Sequence, residues 1–270
     1  LSLHDALPIF EHERDCGIVT RNQRLSAIHS LGHFIGMRSP EHLAWCTEIC
    51  SIPFKKATQT VVGYLDKPEM EALLRAPNRL TSLGARDYAI LLFLYNSGAR
   101  ADETACLSVG NLQLGTSPSV RILGKGNKWR VCPLWPVTLK ALRPLVAGHA
   151  TEDRVFRGRT GCPMTRFGIH RLVTAYARSA GEQVESMQGK RISPHTIRHT
   201  SAVHLLRAGV DINTIRAWLG HVSMDTTHIY AEVDLEMKAK ALASVDITDV
   251  PAAVRPRPQL PSLMAFMRGL

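Results

Sequence analysis

The chain has 270 residues, 45% of them apolar, with 33 Lys or Arg against 23 Asp or Glu and a formal charge of +10. That length accommodates two compact domains but not three, and the apolar fraction excludes a wholly disordered chain. No apolar run approaches the ~18–20 residues of a membrane span, so a soluble globular protein is expected, and the positive surplus favours a polyanionic partner, nucleic acid first.

Leu1–Ile9 lacks an initiator methionine, and His4, Asp5 and Pro8 interrupt any apolar stretch that could act as a secretory signal. One codon choice for it reproduces the tail of a short-read sequencing adapter. Residues 1–16 are therefore expected to be a non-native leader, with 1–9 the artefact itself, ahead of a truncated gene product. Arg21–Ile35 carries Leu25, Ile28, Leu31 and Ile35 at helical spacing, with Gly36 as its predicted end. Pro40–Ile49 reads as a second short helix, and the basic, Pro53-containing Ser51–Gln59 as a linker.

Helices are predicted next at Lys67–Leu74 and Arg86–Asn96, with Ser97–Gly98 as a break before another at Ala101–Leu107. Val120–Leu123 and Arg130–Leu134 flank the turn composition Gly124-Lys125-Gly126-Asn127-Lys128, which predicts a β-hairpin. Further helices follow at Val137–Val146 and Thr165–Ser179. Ser193–Pro194 opens one that Gly209 ends, and Asp211 caps the next, which Gly220 ends. Asp234–Ala243 is a last amphipathic helix, and Pro251–Pro261 tethers a small apolar end, Leu263–Leu270. The fold class is mainly α with a small antiparallel sheet (α+β). Its expected segments are a partial helical domain at 17–50, a linker at 51–61, a main domain at 62–245 and a tail at 246–270.

Four short stretches collect chemistry. Arg100 opens a predicted helix with Glu103 three residues on, a spacing that is most often an exposed ion pair. Lys125 sits on the hairpin turn, ordinarily a solvated lysine. His195 and Arg198 lie in the first turns of a capped helix. His195 and His199 have metal-ligand spacing, but Thr196 stands where a zinc helix of the H-E-x-x-H kind needs glutamate, so no metal is assigned. The six cysteines include no C-x-x-C pair, which gives neither a disulfide framework nor a zinc knuckle and fits a reducing, cytoplasmic compartment. Leu219-Gly220-His221 is followed nine positions after the histidine by Tyr230.

In this order the stretches resemble the tyrosine recombinases of the phage-integrase and Xer type. That pattern is G-x-R-x-x-E, G-K-G-x-K, H-x-x-R, L-G-H and a tyrosine nine residues beyond, and Arg100, Lys125, His195, Arg198, His221 and Tyr230 match it without substitution. The resemblance covers roughly Val62–Ala243, with a weaker echo of the family's helical DNA-clamp domain in Arg21–Ile49. It implies the family's catalytic-domain fold over 62–245, preceded by a truncated clamp domain.

Cleaving a phosphodiester without a metal requires a nucleophile, positive charge on the non-bridging oxygens and a proton for the leaving oxygen. Tyr230 offers a phenol, whose ordinary pKa of about 10 leaves it protonated until neighbours activate it. Arg100 and Arg198 suit a phosphate clamp, because guanidinium forks match two phosphoryl oxygens and keep their charge. The helix start at Pro194–Arg198 offers backbone N–H groups to the same anion. The resemblance implies the remaining roles: Lys125 protonates the departing 5′-oxygen, His195 accepts or shares the tyrosine proton, His221 hydrogen-bonds the phosphate, and Glu103 orients the arginines. The product would be a 3′-phosphotyrosine, and since one phosphoester replaces another, neither ATP nor a cofactor is needed.

Lys128 and Arg130, flanking Lys125, are assigned to DNA binding, and arginines at 154, 157, 159, 166, 171 and 178 could add phosphate contacts. The implied partner is double-stranded DNA, bound by a homotetramer on paired sites with a C-terminal segment exchanged between neighbours, and by a monomer off DNA; no membrane is involved. The expected function is site-specific recombination for a mobile element, in the cytoplasm and at the nucleoid. Two alternatives stay open: relaxation of DNA by the same chemistry, as in type IB topoisomerases, and a DNA-binding remnant without activity.

Overall fold

The computed structural model describes residues 16–56 and 63–220, and the chain divides into two compact units, Leu1–Val61 and Val62–Leu270. In the first unit α1 (Ile18–Arg38) is followed by a 3-10 turn (Pro40–His42) and α2 (Leu43–Ser51). The expected stop at Gly36 does not occur. A Cβ at Gly32 would meet the Cys50 Sγ at 3.3 Å, and one at Gly36 the Cys46 Cβ at 3.4 Å. Both glycines therefore serve the close approach of α2 rather than ending α1. The segment read as linker begins attached to this unit: Ile52 is buried, Arg21 donates to the Pro53 carbonyl (2.9 Å), and Asn22 donates to the Lys55 carbonyl (2.7 Å).

The second unit is mostly helical, with one small antiparallel sheet, as the patterning predicts. Local signals set most of its boundaries. The backbone N–H of Asp66 donates to Glu69 (2.8 Å) at the start of α3 (Lys67–Arg75). The Thr81 hydroxyl accepts the Gly84 N–H (3.0 Å), so α4 (Ser82–Ser97) begins four residues before the apolar run announces it. From Ala89 to Leu94, α4 is essentially enclosed, and α6 (Pro136–Val146) and α8 (Pro194–Arg207) pack on it. Phe93, Phe156, Ile90, Ile122, Ile169 and Ile197 belong to the resulting core.

Between α4 and α6 lie α5 (Ala101–Ala105) and a sheet of order β1-β2-β3. The hairpin strands are β2 (Ser119–Leu123) and β3 (Trp129–Pro133), in a register that sets Ile122 opposite Arg130. The edge strand β1 (Leu112–Gln113) was not foreseen, since two residues carry no period. Thr165 caps α7 (Arg166–Gly181), Ser193 caps α8, and Asp211 caps α9 (Ile212–Leu219) by accepting the N–H groups of Asn213 and Thr214. Gly209 and Gly220 take left-handed φ values of 84° and 66°, as residues that end helices do. Among the described residues no helix is long and apolar enough to cross a membrane. The leader at Leu1–Ile9, the helix read at Asp234–Ala243, the tether and the apolar end lie outside the described residues.

Candidate active site

Arg100 sits at the turn between α4 and α5, and Gly98 shapes that turn. Gly98 has φ 58°, and a Cβ there would lie 2.3 Å from the Leu219 Cδ2, so only glycine fits both the conformation and the contact. Glu103 then folds back on the helix start. One of its oxygens accepts the Arg100 backbone N–H (2.9 Å) and the Arg130 Nη2 (2.7 Å), and the other accepts the Arg100 Nη1 (2.7 Å). The Glu103 and Arg130 side chains are only 6% and 7% exposed, whereas Arg100 remains 39% exposed. The pair is thus no ordinary surface bridge. Burial alone would raise the Glu103 pKa, but the hydrogen bond and charge of Arg130, with the bonds from Arg100, hold it below the usual carboxylate range.

Arg130 is less accessible than its place beside Lys128 in the sequence suggests: strand alternation turns it inward beside Val120, Ile122 and Cys132, while Trp129 and Val131 face out at 51% and 60% exposure. Lys128 is exposed.

Arg198 is also buried, at 2% exposure. It donates to the carbonyl of Gly98 at 2.5 Å and to that of Leu219 at 2.7 Å, so it ties α8 to the turn before Arg100 and to the end of α9. His195, one helical turn earlier, is exposed. Desolvation on its protein side, then the charges of Arg198 and Arg100, hold its pKa below the usual histidine range. The Arg198 bond to the Gly98 carbonyl brings this turn of α8 to the turn that precedes Arg100. Beside His195, His199 packs edge-on, with ring centroids 4.2 Å apart, and is 7% exposed. Desolvation, then His195 and Arg198, push the His199 pKa down to about 4.

Lys125 stands exposed on the hairpin turn, where Gly126 and Asn127 take left-handed φ values of 75° and 59°. It lines a cavity of about 700 Å³ together with Arg100, Glu103 and Arg121. His221 and Tyr230 lie outside the described residues, which end at Gly220. Five positions of the motif set, counting Glu103, therefore fall around one region of the second unit. Of the six arginines of the 154–178 stretch, Arg157 is paired with Asp153 (2.9 Å) and Arg154 donates to the Cys106 carbonyl. Among the described residues no cluster of His, Cys, Asp or Glu could hold a metal ion.

The model of the phage integrase family matches residues 63–237. The chain belongs to this family. Its integrase relatives include y4rC of Sinorhizobium fredii, which carries the name of an integrase/recombinase and is 37% identical over 262 residues, covering 96% of this chain and 78% of that one. The tyrosine recombinase XerC of Pelobacter propionicus is 32% identical over 221 residues, 80% of this chain and 70% of its own. The XerH site-specific recombinase, solved with its difH substrate, matches with a TM-score of 0.69 over 90% of this chain and 71% of its own. At 20% identity that likeness speaks for the integrase catalytic-domain fold. Phage integrases of the tyrosine type are DNA strand-transfer enzymes.

What sequence reasoning missed is the inward seat of Arg130 on Glu103 and the place of His199 beside His195. The register of the hairpin held a signal for the first, because Ile122 opposes Arg130. Hydropathy argued the other way, with Trp129 and Val131 outside.

Proposed function

We propose that this chain is a site-specific DNA recombinase that cleaves and rejoins double-stranded DNA through Tyr230 and a 3′-phosphotyrosine. The observation that carries the reading is the grouping of Arg100, Arg198 and His195, with Lys125 on the same cavity as Arg100. Two guanidinium groups stabilise the developing charge on the phosphoryl oxygens, and they keep that charge at any working pH. His195, held neutral, accepts the phenolic proton as the tyrosine oxygen attacks phosphorus. Lys125 gives a proton to the 5′-oxygen as its bond to phosphorus breaks. Rejoining is the same path reversed, with the 5′-hydroxyl attacking the phosphotyrosine, so the bond energy is retained. His221 would donate to the phosphate.

Relatives named as recombinases and integrases favour recombination over simple relaxation of DNA, and integration or excision of a mobile element is the biological setting the reading supports. Lys128 contacts the DNA backbone, the helical unit at 17–50 closes on the duplex, and a homotetramer pairs two sites. The work takes place in the cytoplasm, at the nucleoid.

The test is covalent trapping. The protein and a Tyr230→Phe variant are incubated with a nicked duplex drawn from the flanks of the gene. A protease-sensitive DNA adduct made by the first and not by the second supports the reading. Salt-sensitive binding without an adduct on any flank favours the inactive DNA-binding remnant, and relaxation of supercoiled plasmid without exchange favours the topoisomerase-like alternative.

A further inference from the structure

We propose that Arg130 is a positioning residue of the strand-transfer site: through Glu103 it sets the Arg100 guanidinium, and through its fork and stem it seats the turns that carry Lys125 and precede His221. The inference rests on the recombinase reading above.

Arg130 is an expensive residue in its place. Taking a guanidinium out of water is costly, and a buried ion pair is often no more stabilising than apolar residues of the same shape. The strand has apolar residues to offer, yet Trp129 and Val131 face outward while the arginine points in. Its bonding is incomplete as well. Nη2 pairs with Glu103 at 2.7 Å, but the buried Nε has no hydrogen-bond partner among the described residues. A buried donor left unpaired adds to that cost. The position is explained by what the side chain touches.

It touches three parts of the site at once. The first is Glu103, whose two oxygens are shared between Arg130 and Arg100. Without Arg130 the carboxylate would be buried against a single, half-exposed guanidinium, and its orientation would be under-determined. With it, Glu103 is held from behind and grips both the backbone N–H and the Nη1 of Arg100. The second is Gly124, the residue before Lys125: a Cβ there would lie 3.3 Å from the Arg130 Nη1 and 3.5 Å from the Glu103 Oε1. The third is Gly220, the residue before His221, where a Cβ would lie 3.1 Å from the Arg130 Cδ and 3.4 Å from its Nη1. Two glycine backbones thus close on the same side chain from the hairpin and from the end of α9. Their spacing is set by the thickness of the arginine stem and fork. Arg130 touches no reacting atom in this scheme; it acts through Glu103, Gly124 and Gly220.

The experiment compares Arg130→Gln, Arg130→Lys and Glu103→Gln with the unmodified chain by single-turnover cleavage of the trapping duplex at saturating DNA, beside binding curves at several salt concentrations. Arg130→Gln is expected to bind DNA with the original affinity and salt slope but to cleave about a hundredfold more slowly, the size of loss that a displacement near 1 Å produces. Arg130→Lys keeps the charge without the fork and is expected to recover about tenfold of that loss. The double variant Arg130→Gln/Glu103→Gln should be no slower than the worse of its parents, because both act through one path.

Cleavage by Arg130→Gln at the original rate would overturn the proposal. So would a lowered affinity with a salt slope reduced by about one and an unchanged rate at saturation, which marks a direct phosphate contact. Should Arg130→Gln fail to fold, Arg130→Lys carries the same comparison, and a rate equal to the original would again refute the role. Absence of an adduct from the unmodified chain is a different result: it removes the recombinase reading itself.

Discussion

The Arg198 guanidinium reaches across the second unit to the carbonyl of Gly98, 2.5 Å away, and so holds the turn that ends two residues later in Arg100. A second bond, to the Leu219 carbonyl at 2.7 Å, holds the end of α9. A residue expected to clamp phosphate is therefore also a bolt between three segments. At least two of its donors serve the protein itself.

Arg198→Ala should consequently lose stability as well as strand transfer. It strands two buried carbonyls, each costing roughly 1–3 kcal/mol when left unpaired, so a drop of about 2–5 kcal/mol is expected in urea unfolding. Arg198→Lys can span one carbonyl and should fall between. Unchanged unfolding midpoints in both would refute the bolt.

Gly98→Ala meets two penalties in one methyl group. The left-handed φ of 58° disfavours any side chain, and the Leu219 Cδ2 already occupies the space. A loss of about 2–4 kcal/mol is expected. Adding Leu219→Ala should relieve part of it, so the double variant should be more stable than the sum of the singles requires. Strict additivity would show that the clash is not the cause.

His195 sets the pH dependence of cleavage. Its pKa lies below the ordinary 6.5, so the ring is neutral and able to accept a proton even in mildly acidic solution. As pH falls, the rate should hold until below 6.5 and only then decline, and His195→Asn should remove that acid limb. An acid limb centred above 6.5 in the single-turnover profile would contradict the geometry around the ring.

His199 makes a separate prediction about folding. Its pKa is about 4 in the folded protein against 6.5 for a free histidine. Between those values the unfolded chain binds a proton that the folded one refuses, so stability rises with pH through this window and is complete above 6.5. The linked loss on acidification is on the order of 3 kcal/mol. Unfolding free energies measured between pH 7 and pH 4 should show this slope, and His199→Gln should flatten it by that amount.

Much of this molecule was legible in its residues because the relevant forces act over three or four positions. Thr165, Ser193 and Asp211 cap the helices that follow them, Gly209 and Gly220 end them, and Gly126–Asn127 closes the hairpin. Each is a backbone preference or a hydrogen bond to a near neighbour, so local order is sufficient to announce it. The motif set from Arg100 to Tyr230 was legible in the same way, as residue types in a fixed order that carry the family resemblance. Gly36 misled because a helix stop and a helix contact ask for the same residue, and only the nearness of Cys46 separates them.

Tertiary structure alone decided which charges lie inside. Whether Glu103 is a surface partner of Arg100 or the buried link between two arginines depends on Arg130, 27 positions away. The inward turn of that arginine runs against the hydropathy of its own strand. Arg198 likewise owes its burial to carbonyls 100 and 21 positions distant. A buried charge is tolerable only where its partner already waits, and partners so far along the chain meet only when the core between them has closed. Composition and spacing determined the chemistry this protein carries; the packing of α4, α8, α9 and the hairpin determined which residues hold it in place.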